Sequence, residues 1–442
     1  MARLENIEAY FPYVAHRLKN KSYRREAQIC GILSRRLFAE IEVIGFEPLV
    51  QQRRAERERG EHTVNIYIAR HLSEFDWQEL QRVFGGADMM TTIQAGDNLF
   101  IGPLDPVLRH FGGFKVFREE VRLFSPDWRL QLWYRLLDHL WRRRPVRRVF
   151  SALGMKRREP LIIDQTLARD IYVAYLHHLI HIEGRDVLIF PEYSKNENKK
   201  VKYGRSYSGR LLEFTPLIFK LLRDINKKTP RKIQIVPVHI SYERVVEDQT
   251  FRTLEQLKSN RVTKPFTYLV DYFFNYTHWL YQKQRGRVVI RFGEPLVLRK
   301  RMDFRVRLHE EVRKRVGMLQ TVFPTQVVGY AFGDARQLSE ADLVQRVKKT
   351  VEELRKTGAD LRYVENLTAP EIIKSAYGFF HMHRKRCALL YDPLTATYRV
   401  LRPDVVTQYR NHILHLFETW HVSDELRKLI GIFRDSPEKR SF

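Results

Sequence analysis

The order of apolar and polar positions divides the chain into a helical start, a central stretch of short buried strands alternating with helices, and a helical end. In residues 1–36 Ile7, Tyr10, Val14 and Leu18 recur among basic residues, which predicts helix. IEVIGFEPL (41–49) predicts a strand ending at Gly45, and the charge-rich 51–62 reads as a surface segment. VNIYIAR (64–70) is a run rich in β-branched and aromatic residues, as in a strand covered on both faces, and the chain turns helical after Ser73. A helix or loop region follows, then a short helix, a break at Gly112-Gly113 and a strand. Residues 167–184 form an amphipathic helix stopped by Gly184. Residues 185–192, 232–243 and 287–296 predict three more strands, the last closed by Gly-Glu-Pro. From about 303 the pattern is mainly helical, and Ser339 with Asp342 resembles a capping box opening a helix with Leu343, Val347, Val351 and Leu354 on one face.

Strand, polar turn and helix in succession predict an α/β fold. We expect a helical N-terminal arm (1–40), an α/β core (41–300) holding an Arg- and Trp-rich insertion (119–168), and a helical C-terminal region (301–442), with no internal repeat.

Composition narrows the class. The 442 residues are 44% apolar, enough for a sizeable core in two or three structural units. Cys30 and Cys387 are far apart in sequence and make neither a disulfide framework nor a zinc spacing, so a reducing compartment is expected. The first residues lack the apolar core of a signal peptide, and no charge-free apolar run is long enough to predict a transmembrane helix. A net charge of +26 favours a polyanionic partner: nucleic acid, an anionic membrane surface or phosphorylated substrates. No helix-turn-helix, zinc finger or RNP pattern supports nucleic acid.

Four spots place polar residues at the end of a buried strand, where open α/β sheets collect their sites. The first is His71 with Asp76. On one helix, residues five apart point about 140° away from each other. The two meet only if His71 sits in the turn and Asp76 in the first helical turn, with Ser73 as N-cap. Asp76 then holds one imidazole nitrogen and leaves the other as a base. His181 and Asp186 repeat the spacing, but His181 lies at a helix end before a glycine, which reads as structural. The second spot is Gly112, Phe114, Lys115 and Arg118, where glycines allow close approach and an arginine can grip a phosphate. The third joins Glu192 to Gly204, Arg205 and Ser206, an anion nest that Glu192 could order, or a flexible basic loop. The fourth is Pro237, whose place in a buried strand implies an edge, a bulge or a cavity wall.

In this order the four spots resemble the glycerophospholipid acyltransferase superfamily, with its H-x4-D, G-x-F-x-x-x-R, F-P-E-G and proline-strand motifs. GRSYSGRLL (204–212), Tyr242-Glu243 and RFGEPL (291–296) resemble the bacterial glycerol-3-phosphate and dihydroxyacetone-phosphate branch, and the resemblance covers roughly 41–350. It implies a mixed central β-sheet flanked by helices. It implies transfer of a fatty acyl group from acyl-CoA or acyl carrier protein to the sn-1 hydroxyl of glycerol 3-phosphate, with no metal or other cofactor. His71 and Asp76 take the catalytic pair. Gly112, Phe114 and Arg118 take the second motif, Arg118 binding phosphate. Glu192, Gly204, Arg205 and Ser206 take the third, and Pro237 the acyl-donor side. Tyr193 stands where the family has glycine after the motif-three Glu; a second alignment puts Ser194 and Lys195 in the following positions. Dihydroxyacetone phosphate or lysophosphatidate as acceptor, or an inactive basic lipid-binding protein, stay as alternatives.

In residues 127–148 Leu132, Trp133, Leu136, Leu137, Leu140 and Trp141 fall on one helical face beside Arg129, Arg135, Arg142, Arg143 and Arg144. That pattern suits either an interfacial helix or an ordinary packing helix. With the charge, it leads us to expect a peripheral protein on the cytoplasmic face of an anionic membrane.

Overall fold

The computed structural model describes residues 7–15, 20–96, 100, 105, 108–109, 112–117, 120–152, 159–195, 201–203, 208–248, 285–299, 307–381 and 387–418. Its centre is a mixed sheet of eight strands. These are β1 (Glu40–Ile44), β2 (Thr63–Ala69), β3 (Thr91–Gly96) and β4 (Gly113–Val116), then, after the short ribbon of β5 (Val121–Leu123) and β6 (Leu161–Ile163), β7 (Asp186–Ile189). After β8 (Glu192–Lys195), β9 (Val201–Tyr203) and β10 (Glu213–Phe214) come β11 (Lys232–Tyr242), β12 (Arg287–Phe292) and β13 (Leu296–Val297). The strand order is β1-β12-β11-β2-β7-β3-β4, with β13 also on β11. The β11-β2-β7-β3-β4 run is parallel, whereas β12 and β13 pair antiparallel to β11.

All seven residues of β2 are buried because helices cover both faces of the sheet. Alternate side chains take opposite sides. Val64, Ile66, Ile68, Ile233 and Ile235 pack under the helices Gln165–His177, Pro216–Lys228 and Leu308–Met318. Tyr67, Ala69, Val236, Val238, Ile240 and Tyr242 pack under Glu47–Glu58 and Asp76–Gly86. Each such aliphatic side chain contributes about 1.5–3 kcal/mol on burial. Helix Asn20–Leu37 closes on Asp76–Gly86 at Gly85, where an added Cβ would collide with the Ala27 Cβ.

Three expectations need correction. The charged segment after β1 is the helix Glu47–Glu58, which turns Leu49, Val50, Arg53 and Glu56 inward at helical spacing. Thr91–Gly96 is a strand of the main sheet, hidden in the sequence by its polar second half. Residues 127–148 are not one helix but parts of two, Trp128–Trp141 and Arg144–Ala152. The C-terminal helices surround a core of their own and also carry a sheet of β14 (Gln337–Ser339), β15 (Leu389–Asp392) and β16 (Thr397–Val400). Ser339 caps the helix Glu340–Thr357 through the Asp342 N–H, and Leu343, Val347, Val351 and Leu354 are its buried face. Among the described residues no helix is long and apolar enough to cross a membrane.

Candidate active site

β2 ends at Ala69, at the carboxyl edge of the parallel strands, and the chain makes a short turn before the helix Asp76–Gly86. This helix starts at Asp76 and not after Ser73, because the Asp76 carboxylate itself organises the turn. Its Oδ2 accepts from the backbone N–H groups of Leu72 (2.7 Å) and Ser73 (2.9 Å) and lies 2.9 Å from His71 Nδ1. Its Oδ1 accepts from the Tyr242 hydroxyl at 2.7 Å. A carboxylate only accepts, so Nδ1 carries the proton and Nε2 keeps its lone pair. Asp76 is fully buried, while 18% of the His71 side chain reaches solvent. The imidazole rests against Phe190, ring centroids 4.6 Å apart.

The surrounding turn is braced from three sides. Glu247 accepts from Ser73 Oγ (2.8 Å) and from the Glu74 N–H (2.6 Å). Glu192, also fully buried, accepts from the His71 N–H at 2.7 Å and the Leu212 N–H at 3.1 Å. Burial raises its carboxyl above the usual range, while Arg70 and the two N–H groups pull it down. Arg70 is itself buried, which lowers its guanidinium to about 10 against the pull of Glu192 and Asp76. It donates to the Gly209 carbonyl, to Gln320 Oε1 at 3.3 Å and to the His412 carbonyl at 3.2 Å. The third sequence spot is thereby tied to the histidine turn through Gly209 and Leu212.

The expected site residues therefore divide. His71 and Asp76 meet. Glu192 joins them as a backbone brace instead of as a ligand-facing group, because both of its oxygens are occupied by N–H donors. Pro237 lies inside central β11, opposite Ile68 of β2. Its missing N–H falls in the gap between the β12 and β13 ladders, and its carbonyl accepts from Gly293 N–H, so it sits inside the sheet and not at an edge. Phe114 and Lys115 lie on β4, at the end of the sheet order among the described residues. Phe114 is fully buried against Tyr172 and Tyr175, and Lys115 is engaged by Asp105 Oδ2 at 2.9 Å. Gly112 turns at φ +79° into Gly113, where a Cβ would press 2.7 Å from the Leu108 carbonyl oxygen. Gly112 also lines a cavity of about 990 Å³ at the amino end of the strands, with Arg53, His62, Thr92 and Asp186, at the opposite edge of the sheet from His71. Arg118, Gly204, Arg205 and Ser206 lie outside the described residues. Asp186 accepts both of its 2.6 Å bonds from Arg53, in keeping with the structural reading of the His181 and Asp186 pair.

Tyr242, Glu247, Arg70 and Phe190 are the side chains whose roles sequence reasoning missed. For Tyr242 a signal existed. Strand periodicity puts it on the same face as Val236, Val238 and Ile240, the face covered by the Asp76 helix. Its neighbour Glu243 points the other way, to Arg287 at 2.9 Å.

The sheet is thus mostly parallel and carries a histidine–carboxylate pair at its carboxyl edge, and the chain is similar to glycerol-3-phosphate acyltransferases. Residues 272–419 match the family described as the glycerol-3-phosphate acyltransferase C-terminal region. The glycerol-3-phosphate acyltransferase of Aeromonas hydrophila is 25% identical over 93% of this chain and 46% of its own length. Those of Pseudomonas putida W619 (29% identical; 49% of this chain, 28% of its own) and Pseudomonas fluorescens Pf0-1 (26%; 69% and 39%) are similar too. The chain thus spans less than half the length of these curated relatives.

Proposed function

We propose that this protein transfers a fatty acyl group from an acyl thioester, acyl-CoA or acyl carrier protein, to the sn-1 hydroxyl of glycerol 3-phosphate. The observation that carries the reading is the His71 imidazole, with Nδ1 bound to a buried carboxylate and Nε2 without a hydrogen-bond partner among the described residues. Nε2 takes the hydroxyl proton as the alcohol oxygen attacks the thioester carbon. The tetrahedral intermediate collapses with cleavage of the C–S bond, and the sulfur leaves with the proton returned from the imidazolium. Asp76 stabilises that imidazolium in between. The amino end of the helix Asp76–Gly86 lies beside the same turn and favours a phosphorylated acceptor. Arg118 and Arg205 are the proposed phosphate anchors.

The same reading places the protein at an anionic membrane surface on the cytoplasmic side, where its product partitions. Leu130, Leu132, Trp133, Leu136 and Val149 are exposed on the helices between β5 and β6, beside the exposed Arg129, Arg142, Arg143, Arg147 and Arg148. Tryptophan and leucine flanked by arginine suit an interface, each cation adding about 1 kcal/mol near anionic lipid.

The test is acyl transfer to radiolabelled glycerol 3-phosphate in lipid vesicles, wild type against His71→Ala. Loss of at least about a hundredfold is expected from removal of a general base. Equal rates reject the base. A parallel panel with dihydroxyacetone phosphate and lysophosphatidate decides the acceptor.

A further inference from the structure

We infer that Tyr242 is a positioning residue that sets the basicity of His71 through Asp76; this rests on the dyad reading above. The Tyr242 hydroxyl donates to Asp76 Oδ1 at 2.7 Å, while the other three donors, including His71 Nδ1, converge on Oδ2. The two carboxylate oxygens thus have separate duties. The hydroxyl draws negative charge toward Oδ1 and away from the imidazole, and it fixes the rotation that aims Oδ2 at Nδ1.

The donor is held rigidly. Tyr242 is fully buried, its ring 5.8 Å from that of Phe38, and its backbone pairs with Val288 of β12. Its carbonyl accepts from Gln326 Nε2 at 3.2 Å. Strand, helix and C-terminal region therefore fix where the phenol points. Burial and the neighbouring Asp76, Glu79 and Glu247 carboxylates hold the phenol protonated, so it remains a donor. Among the described residues, the other ionisable groups around the pair are Arg70 at the end of β2 and Glu192 at the start of β8. Neither hydrogen-bonds the Asp76 carboxylate, so Tyr242 is the side-chain donor opposite His71 among the described residues.

The sign of the effect is fixed. Removing the hydroxyl returns charge to Oδ2, stabilises the His71 imidazolium and raises the histidine titration midpoint. Strengthening the donor lowers it. The experiment is NMR titration of the His71 imidazole in the full chain labelled at histidine nitrogen, which requires no acyl substrate. Tyr242→Phe is expected to raise the midpoint by roughly half a unit to one unit, the scale of a lost hydrogen bond to a charged partner. In active protein the acid limb of the kcat/KM profile moves up by the same amount. Incorporation of 3-fluorotyrosine at position 242 keeps the shape, makes the phenol a stronger donor and is expected to move the midpoint down; it also gives a reading if Tyr242→Phe does not fold. Tyr67→Phe removes a buried phenol hydroxyl elsewhere on the same face and is expected to leave His71 unmoved. A midpoint within about 0.2 units of wild type in both position-242 variants overturns the inference, because a packing role would not change the titration in opposite directions. Normal shifts in a protein without transfer activity would sink the acyltransferase reading and leave the coupling intact.

Discussion

Replacement of Asp76 by asparagine separates charge from geometry at the dyad. Four donors point at this carboxylate, two backbone N–H groups and His71 Nδ1 at Oδ2 and the Tyr242 hydroxyl at Oδ1. Alanine would strand all four in a buried site, at about 1–3 kcal/mol for each group left without a partner, and the fold itself would be at risk. Asparagine avoids this. With its carbonyl oxygen in the Oδ2 position it keeps the turn and the same imidazole tautomer, and its amide donates to a Tyr242 hydroxyl that rotates to accept. What it loses is the negative charge 2.9 Å from the imidazolium. At an effective dielectric of 20 two unit charges at that distance interact by roughly 5–6 kcal/mol, and screening and relaxation leave about half, some two orders of magnitude in rate. We expect kcat/KM for acyl transfer in vesicles to fall about 10²- to 10⁴-fold, the range of general-base contributions, with the thermal unfolding midpoint within a few degrees of wild type. Activity within threefold of wild type in a folded Asp76→Asn protein would refute the claim that the carboxylate charge drives proton transfer.

Two further outcomes are expected. Burial pushes the Glu79 carboxyl up to about 7, so the folded state holds a proton that the unfolded chain releases near its ordinary value. The resulting stability is present below about pH 4.5 and is lost as pH rises through 7. Glu79→Gln removes that loss, so relative to wild type it should gain up to about 3 kcal/mol between pH 5 and pH 8 in urea unfolding, and a pH-independent difference would exclude a buried titrating carboxyl. At the surface, Leu132→Ser with Trp133→Ser and Leu136→Ser removes exposed apolar area without touching the main sheet, and should cut flotation with anionic liposomes at least about tenfold. Undiminished flotation would take the interfacial role away from these helices.

The sequence showed the sheet most clearly where both faces are covered. β2, β7 and β11 are rich in β-branched and other apolar residues with no regular apolar–polar alternation, because a strand buried on both sides has almost no solvent-facing positions to mark its period. β3 was missed for the opposite reason, since Gln94 and Gly96 dilute its apolar content. Arg53 and Glu56 made the helix after β1 look solvated, although Arg53 is buried against Asp186 and Glu56 accepts from Thr63. At the site, the spacing of His71 and Asp76 sufficed to foresee their meeting, because residues five apart can touch only across a turn. The backbone brace by Glu192 was not legible. Its partners are N–H groups 121 and 20 residues away, and main-chain donors leave no trace in side-chain chemistry.

The same long-range bonds explain why the helices after residue 307 bear on a dyad they do not touch. The Tyr242 hydroxyl and the Glu247 carboxylate hold the histidine turn, and both lie on the stretch 241–248 at the end of β11. That stretch is gripped from the C-terminal side. Thr321 N–H donates to Ser241 Oγ, Gln326 to the Tyr242 carbonyl, and Thr325 to the Glu243 carbonyl. The Tyr409 hydroxyl donates to Asp248 and accepts from the Val245 N–H. Arg70, one residue before His71, reaches the other way to Gln320 and the His412 carbonyl. A buried guanidinium deprived of these acceptors would carry a large desolvation cost, so the turn and the C-terminal helices stay docked together. Burial also keeps His239, His412 and His415 neutral around Arg70, which spares the cluster a like-charge repulsion at neutral pH. The position of the His71 imidazole is therefore a property of the sheet edge and the C-terminal region together, since neither alone supplies both ends of the bonds that hold it.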